Sequence, residues 1–228
     1  MAKNPQTVTI YGRLSFPTWT YKEALARNAK SDFPQPDENV TPDFNLLVEQ
    51  PQLDKFLAHI KGEFFPFLAA RHAAGEKRNS LEPKHITKLE KLIAEGLKDG
   101  GWNDMQPPYI PIKDVHDKTA ALVPEAVASI KVKGNRGVDV ELKAIVENED
   151  ELAVPDPDIL KYPIIRPIGQ TVHQMYPGAY VAATLNLYSF VSGVQPGFSA
   201  SAGVAVFKAD GDRLGGGVEV DEDEMFLD

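Results

Sequence analysis

Two stretches near the C-terminal end alternate between apolar and polar residues, and this pattern constrains the fold more than any other feature. The first extends from Ala179 to Val191 and the second from Phe198 to Lys208. A period of two places successive side chains on opposite faces of a β-strand, so each stretch predicts a strand with one buried face. Glycine and proline in residues 192–197 favour a short connection, which predicts that the two strands pair. The residues expected to be buried are Val181, Ala183, Leu185, Leu187, Phe198, Ala200, Ala202, Val204 and Val206.

Further strands are predicted upstream. Phe44–Val48 indicates a short strand, while Ser129–Lys133 and Val138–Val146 each alternate. The segment Gly134-Asn135-Arg136-Gly137 has the turn residues of a hairpin, so the strands on either side of it are predicted to pair with each other. Residues 7–16 also alternate, and their predicted buried face consists of Val8, Ile10, Gly12, Leu14 and Phe16.

Two helices are predicted between these strands. Apolar residues recur at helical spacing from Leu53 to about His72, and again from Pro83 to the Gly100-Gly101 pair. Prolines in residues 17–42 and 102–125 resist regular structure, so both segments are predicted to be irregular.

The order of these elements favours an α+β fold that is mainly β. We expect an OB-fold-like antiparallel β-barrel with a helical insertion at about residues 51–100. A single domain is expected over residues 1–214, because a chain of this length can bury one substantial core.

The negative charge is concentrated at the C-terminal end. The formal net charge is −9, but residues 218–228 carry six acids and no base. The other 217 residues hold 27 acids and 24 bases, so they are nearly neutral and can present a basic face to phosphates. Residues 215–228, which begin with three glycines, are predicted to form a flexible, disordered acidic tail.

Several functional classes lack their sequence signatures. There is no cysteine, which removes disulfides, thiol catalysis and cysteine-based metal sites. No two of the five histidines lie three to five residues apart, and neither a phosphate-binding loop nor a nucleophile elbow is present. We therefore expect no catalytic residue, no cofactor and no metal, and the protein is not predicted to be an enzyme. No apolar run is long enough to span a bilayer, so no membrane partner is expected.

Aromatic and basic residues are interleaved on the strand faces predicted to be exposed. Such faces hold single-stranded nucleic acid, because bases stack on aromatic rings and cations contact phosphates, and neither contact depends on base sequence. A structural explanation remains open, since tyrosines fit pleated surfaces and the helices would bury some of them by packing on the same face. The candidate DNA-binding residues are Tyr11, Arg13, Trp19, Tyr21, Lys22, Arg27, Lys131, Lys133, Arg136, Lys143, Tyr180, Tyr188 and Phe190.

The tail combines acids with apolar residues. The cluster Met225-Phe226-Leu227 within a run of acids resembles a docking peptide, in which charge steers association and the aromatic ring fills a pocket. The same tail is a candidate to occupy the basic groove of the protein when DNA is absent. The candidate partner-binding residues are Asp221, Glu222, Asp223, Glu224, Met225 and Phe226.

Four segments resemble a known family. They are Gly12–Pro17, Pro177–Ala183, Gly197–Ala200 and Phe207–Gly217. They are similar to the phage single-stranded DNA-binding proteins formerly catalogued as a domain of unknown function. The resemblance implies an OB fold with a helical insertion and sequence-nonspecific binding of single-stranded DNA.

The same resemblance implies a role in phage DNA replication or recombination, in the cytoplasm of the infected bacterial host. It also implies that the acidic tail contacts replication proteins of the phage or host, such as a polymerase, helicase or primase. Tails of this type often end on an aromatic residue, whereas here Leu227 and Asp228 follow Phe226.

Two other functions remain open at this stage. A phage structural or assembly protein without DNA affinity would also be acidic, β-rich and free of catalytic motifs. A small nuclease or hydrolase is disfavoured, because the sequence has no cluster in which acids and histidines occur together at the spacing of metal ligands. The oligomeric state, including a homo-oligomer, and the number of nucleotides bound are not fixed by the sequence.

Overall fold

The computed structural model describes residues 4–99, 102, 110–134, 140–146, 164–167, 175–192 and 194–214. The strands formed by these residues are β1 (Thr7–Thr18), β2 (Asp43–Val48), β3 (Ile112–Lys113), β4 (Ala128–Lys133), β5 (Glu141–Val146), β6 (Ile164–Pro167), β7 (Tyr180–Ser192) and β8 (Gln195–Ala209). The helices are α1 (Tyr21–Asn28), α2 (Gln50–His59), α3 (Phe65–Ala73), α4 (Pro83–Asp99) and α5 (Asp117–Leu122). A π-helical turn at Ile60–Phe64 joins α2 to α3, and a 3₁₀ turn occupies Asp37–Asn39.

Five of the described strands close into a barrel. β1 pairs antiparallel with β2 and β7, β2 pairs with β4, and β7 pairs with β8. The ring closes where Val132 and Lys133 of β4 pair parallel with Ala200 and Ser201 of β8. Around the ring, the barrel strands follow the chain order first, second, third, fifth and fourth, which is the Greek-key arrangement of an OB fold. The predicted mainly β, OB-like barrel is therefore confirmed.

The barrel interior and the helices share one hydrophobic core. The aromatic rings of Phe64 and Phe65 contact Phe198 of β8, with ring centroids 5.9 and 5.8 Å apart. All three side chains are fully buried, and each such burial stabilises the fold by about 1.5–3 kcal/mol. Both predicted helical regions are present, and their apolar stripes face this core except at Leu97, which is exposed.

The predicted hairpin between Ser129–Lys133 and Val138–Val146 is wrong. β4 has β2 along one edge, and β3 and β8 share its other edge, so no edge remains for β5. β5 pairs parallel with β8 and antiparallel with β6 instead. Turn residues indicate where a chain can reverse, but the available strand edges decide which strands pair.

A β-bulge in β1 turns Phe16 outward. The register with β2 shifts between Ser15 and Thr18, and Phe16 has a φ of 47°. Its side chain is 58% exposed, whereas strict alternation predicted that it would be buried. Pro17 was the available signal, because proline inside a strand marks an edge or a bulge.

A second bulge changes the outward face of β8. Thr184 pairs with Val204 and Leu185 with Ala202, so one extra residue lies between the two pairs on β8. The alternation therefore shifts by one residue beyond this point. Ala205 and Phe207 are buried, whereas the predicted burial of Val204 and Val206 is wrong, since both are partly exposed.

Residues 17–42 contain a helix that the prolines concealed. Thr20 accepts a hydrogen bond from Glu23 N at 3.1 Å, and the Glu23 carboxylate accepts one from Thr20 N at 3.0 Å. This capping box starts α1, and its Thr-x-x-Glu pattern was the signal that the sequence analysis missed. The prediction of irregular structure is likewise wrong for α5 within residues 102–125.

The segment after β8 is fastened to the beginning of β7, in what we call the C-terminal clasp (residues 176–178 and 210–214). Leu214 N donates a hydrogen bond to Pro177 O at 2.9 Å. Gly178 has a φ of +109°, and a β-carbon there would overlap the carbonyl oxygen of Asp212. Glycine is therefore required both by the backbone conformation and by the close approach of the two segments.

Tyr176 adds a second fastening to the clasp. Its hydroxyl lies 2.9 Å from Asp210 Oδ1 and accepts a hydrogen bond from Gly211 N at 3.0 Å. Burial raises the pKa of Tyr176, so the hydroxyl keeps its proton and remains a donor over a wider pH range. The guanidinium group of Arg213 lies over the same ring, 4.6 Å from its centroid.

Candidate nucleic-acid interface

An open groove of about 490 Å³ lies between α1 with its following loop and the outer face of β2 and β4. These strands are the second and third of the barrel, and the loop joins the first strand to the second. In OB folds, this strand face and this loop are the usual place where an oligonucleotide binds. The groove is therefore the place to look for the predicted binding residues.

The loop beside the groove is held by local hydrogen bonds. Asn28 donates from Nδ2 to Gln35 O at 2.8 Å and accepts from Gln35 N at 2.9 Å. The hydroxyl of Tyr21 donates to Asp37 O at 3.0 Å, which ties the start of α1 to the end of the loop. These bonds keep one wall of the groove in place, and Tyr21 contributes to that wall as a structural residue. Lys22 is exposed on the same helix.

The groove carries more positive than negative charge. Its charged lining residues are Arg27, Lys131, Lys133 and a single acid, Asp43. Asp43 forms ion pairs with Arg27 and, at 3.2 Å, with Lys131 Nζ. Lys133 is exposed and has no ion pair within the described residues. The sequence-predicted cations Arg27, Lys131 and Lys133 are thus brought together, with a net charge of +2 on the lining.

Two exposed aromatic residues at the groove were missed by the sequence analysis as binding candidates. Phe33 lines the groove and is 84% exposed. Phe16 is adjacent to it, because Arg27 Nη1 donates to Phe16 O at 3.1 Å. The signal for Phe33 was its position in a polar, proline-containing segment, where it belongs to no apolar stripe of a helix or strand.

Tyr188 and Phe190 lie beyond the β4–β8 pairing that closes the barrel, which we call the seam, as seen from the groove. Their ring centroids are 6.4 Å apart, and both side chains are partly exposed on the outer face of β7. Lys133 pairs with Ser201 of β8, and the β8 residue Ser199 pairs with Tyr188. With strands about 4.8 Å apart, Tyr188 is two strands, or about 10 Å, from β4. The barrel therefore places these two rings on the same continuous surface as the groove lysines.

Arg13 is a structural residue rather than an exposed cation. Its side chain is 6% exposed and donates to Gly178 O at 3.1 Å and to Asp212 O at 2.7 Å. Its remaining nitrogen forms an ion pair with Glu125 at 3.3 Å. Each nitrogen of the guanidinium group therefore has a partner on another segment. Because the group is also buried, it is not available to a phosphate.

Trp19 and Tyr180 are also structural residues, because their rings pack against other side chains. Trp19 is buried, donates from Nε1 to Met175 O at 3.0 Å and packs on Phe44, with ring centroids 5.1 Å apart. Tyr180 is partly buried beneath the guanidinium group of Arg13, which lies 5.3 Å from its ring centroid. No base can stack on Trp19 in this structure.

Tyr11 is separated from the groove. It is 38% exposed on the outer face of β1, opposite Ala182 of β7. Arg136, the side chain of Lys143 and the tail candidates Asp221, Glu222, Asp223, Glu224, Met225 and Phe226 lie outside the residues and side chains that the structure describes.

Within the described ranges, no group of three or more histidine, aspartate or glutamate side chains is placed to hold a metal ion. In the same part of the chain, no helix has the length and apolar character needed to cross a bilayer.

No protein-family model matches the chain, and no curated protein matches its sequence. Among solved structures, it is similar to the single-stranded DNA-binding protein from bacteriophage Enc34, with a TM-score of 0.46 and 13% identity over 97% of this chain and 90% of that chain. The structure of that protein in complex with ssDNA gives a TM-score of 0.47 and 12% identity, covering 92% and 90% of the two chains. For gp2.5, a single-stranded DNA-binding protein encoded by bacteriophage T7, the TM-score is 0.41 and the identity 11%, covering 97% and 98%.

The contrast between Arg13 and Arg27 can be measured with the same substitution at each position. We expect Arg13→Met to lower the free energy of unfolding by about 2–4 kcal/mol, because the buried carbonyl of Gly178 and the partly buried carbonyl of Asp212 both lose their donor. Arg27→Met should lower it by less than about 1 kcal/mol, because the side chain of Arg27 is half exposed and Asp43 keeps Lys131 as a partner. Urea denaturation measures both, and equal losses would contradict the structural role of Arg13.

Proposed function

We propose that the protein binds single-stranded DNA, without sequence specificity, along the groove formed by α1, its following loop and the outer face of β2 and β4. The observation that carries this proposal is the coincidence of three features at one place. The groove lies on the strand face that OB folds use, it holds three cations against one acid, and an exposed phenylalanine ring lines it.

The chemistry of the groove suits a single strand better than a duplex. Bases offer a π-face to Phe33 and, across the seam, to Tyr188 and Phe190, and these faces are available only when bases are unpaired. The cations track phosphates, which every nucleotide carries, so no base sequence is preferred. The resemblance of the sequence to phage single-stranded DNA-binding proteins supports a role in phage DNA replication or recombination, in the cytoplasm of the infected bacterium.

The proposal predicts salt-dependent binding in which Lys133 takes part. Filter binding with a labelled oligothymidine should give a logarithmic plot of affinity against salt with a negative slope. For Lys133→Ala, the slope should become shallower by about 0.7 and the affinity should fall on the order of fivefold, because one phosphate contact is lost. Absence of binding by the wild-type protein at low salt would rule out the proposed function and favour a phage structural or assembly role.

Two further variants test whether the effect of Lys133 is specific to the groove. Asp43→Asn removes the one acid that lines the groove, so the affinity should rise severalfold as Arg27 and Lys131 become free for phosphates. Lys61→Ala changes an exposed lysine on the turn between α2 and α3 and should leave both affinity and slope unchanged. A loss of affinity in Asp43→Asn would contradict the placement of phosphates beside this carboxylate.

Phe33 provides a separate test of base stacking. Phe33→Ala should weaken oligothymidine binding by about 1–3 kcal/mol, which is about 5- to 150-fold, because one base loses its aromatic partner. Phe33→Leu is the control, since it keeps an apolar side chain but has no π-face. Calorimetric titration should find that both variants bind similarly weakly. Thermal denaturation should find them as stable as the wild-type protein, because the ring is 84% exposed. Wild-type affinity in both variants would exclude stacking on Phe33.

We further propose that residues 1–214 form the DNA-binding domain and that residues 215–228 form a flexible tail that recruits replication proteins. Its six acids and the Met225-Phe226-Leu227 cluster support this, because they combine electrostatic steering with an apolar anchor. A chain ending at Gly217 should bind single-stranded DNA at least as tightly as the full chain, yet lose capture of a polymerase, helicase or primase. Unchanged capture would contradict the tail's role.

A further inference from the structure

A second cationic and aromatic cluster lies on the barrel wall away from the groove. The ring of Tyr11 has two ammonium groups close to it, Lys55 Nζ of α2 at 5.4 Å and Lys208 Nζ of β8 at 5.7 Å from the ring centroid. Neither lysine forms an ion pair with any described residue. Two like charges therefore face one exposed ring with no described carboxylate between them.

Lys208 is brought to this position by the irregular end of β8. Tyr180 pairs with Ala209 and Val181 with Phe207, so Lys208 is the extra residue of a bulge. Phe207 is buried and Lys208 follows it onto the outer face, where it is partly buried. Burial lowers the pKa of Lys208, because the charged form loses hydration without gaining a described anionic partner.

A strip of polar side chains, which we call the polar lane, connects this cluster to Tyr188 and so to the proposed DNA-binding surface. On the outer face of β1 and β7, Thr9 and Thr184 are joined by a hydrogen bond of 3.2 Å between their hydroxyl groups. Next to them, Thr7 Oγ1 donates to Asn186 Oδ1 at 3.2 Å. Tyr188 follows on the same face of β7. Tyr11 pairs with Ala182, six residues before Tyr188, so the lane is about 20 Å long.

We propose that a single strand of DNA that leaves the groove and crosses to Tyr188 continues along this lane, and that Tyr11, Lys55 and Lys208 bind a phosphate and a base farther along the same strand. This proposal rests on the proposed function of the groove and extends it to a second anchoring site. The threonine and asparagine side chains of the lane offer hydrogen bonds to sugar and phosphate oxygens. The aromatic ring flanked by two ammonium groups offers stacking and charge neutralisation together.

The geometry favours a nucleotide over a purely structural role for the cluster. Packing of α2 on β1 needs only one lysine stem against the ring, whereas Lys208 brings a second positive charge without an ion pair among the described residues. A phosphate bound at this cluster would neutralise positive charge that has no described counter-ion. It would also supply the anion that the partly buried Lys208 lacks.

The test uses two oligothymidines and a double variant of the full-length chain. The oligonucleotides are about 6 and about 16 nucleotides long, near the two ends of the range that one OB fold covers. For Lys55→Ser with Lys208→Ser, we expect the longer oligonucleotide to bind on the order of tenfold more weakly. Its salt slope should be shallower by about 1.4, which corresponds to two lost phosphate contacts. The shorter oligonucleotide, which the groove can hold alone, should bind as it does to the wild-type protein.

Controls separate this site from the groove and from loss of folding. Lys61→Ser with Lys91→Ser removes two exposed lysines of the helices and should change neither oligonucleotide's binding. Tyr11→Phe should keep the tighter binding of the longer oligonucleotide, whereas Tyr11→Leu should lose it, and thermal denaturation should show both to be folded. An unchanged affinity for the longer oligonucleotide in the double lysine variant, or an equal loss for both lengths, would overturn the second site. Failure of the wild-type protein to bind either length would instead refute the proposed function.

Discussion

The buried guanidinium group of Arg13 holds together the parts of the molecule that the barrel alone does not connect. It projects from β1 to the Gly178 carbonyl before β7, to the Asp212 carbonyl after β8 and to Glu125 beyond α5. Without Arg13, the Gly178 carbonyl would be a buried acceptor without this partner, which costs about 1–3 kcal/mol. The charge of the arginine is tolerated because several oxygen atoms surround it. The arrangement fixes the wall of the barrel that separates the groove from the cluster around Tyr11.

This wall explains how a chain with a net charge of −9 presents basic surfaces. Leu47, Val123 and Leu214 form a small apolar cluster on the outside of the barrel, at the C-terminal end of β2. The outer surface of the barrel is exposed on either side of this apolar cluster. The groove cations lie on one side and the Lys55–Lys208 pair on the other. Charge that would be unremarkable if spread over the surface is thereby concentrated along the path that we propose for DNA.

The sequence predicted the barrel because each barrel strand has one buried face, and a buried face gives an alternation of apolar and polar residues. It predicted the pairing of β7 with β8 correctly. It did not predict the partners of β5, which has the pattern of a hairpin partner for β4 yet pairs with β8. Pairing depends on which edges remain free after the barrel closes, and that is a property of the whole chain. The outward turn of Phe16 and the position of Lys208 were not predictable from alternation, because a single bulged residue reverses the pattern.

The candidate site was predictable in part for the same reason. Arg27, Lys131 and Lys133 were identified from their residue types and their exposed positions, and the fold brings them into one groove. Arg13 was assigned to the exposed face of β1, and it does lie on that face, but the clasp and Glu125 cover it. Sequence periodicity distinguishes the inside of a barrel from its outside. It does not show which outside positions are covered by segments that return from far along the chain.

The burial of both tryptophans determines what an optical experiment on this protein reports. Trp19 and Trp102 are 3% and 4% exposed, and they are the only two tryptophans in the sequence. A bound base has no access to either indole, so stacking should not quench their emission. Intrinsic tryptophan fluorescence should therefore follow unfolding of the core while remaining insensitive to occupancy of the surface. A tryptophan introduced at position 33 would add an emission signal from the groove itself, against a background that binding does not change.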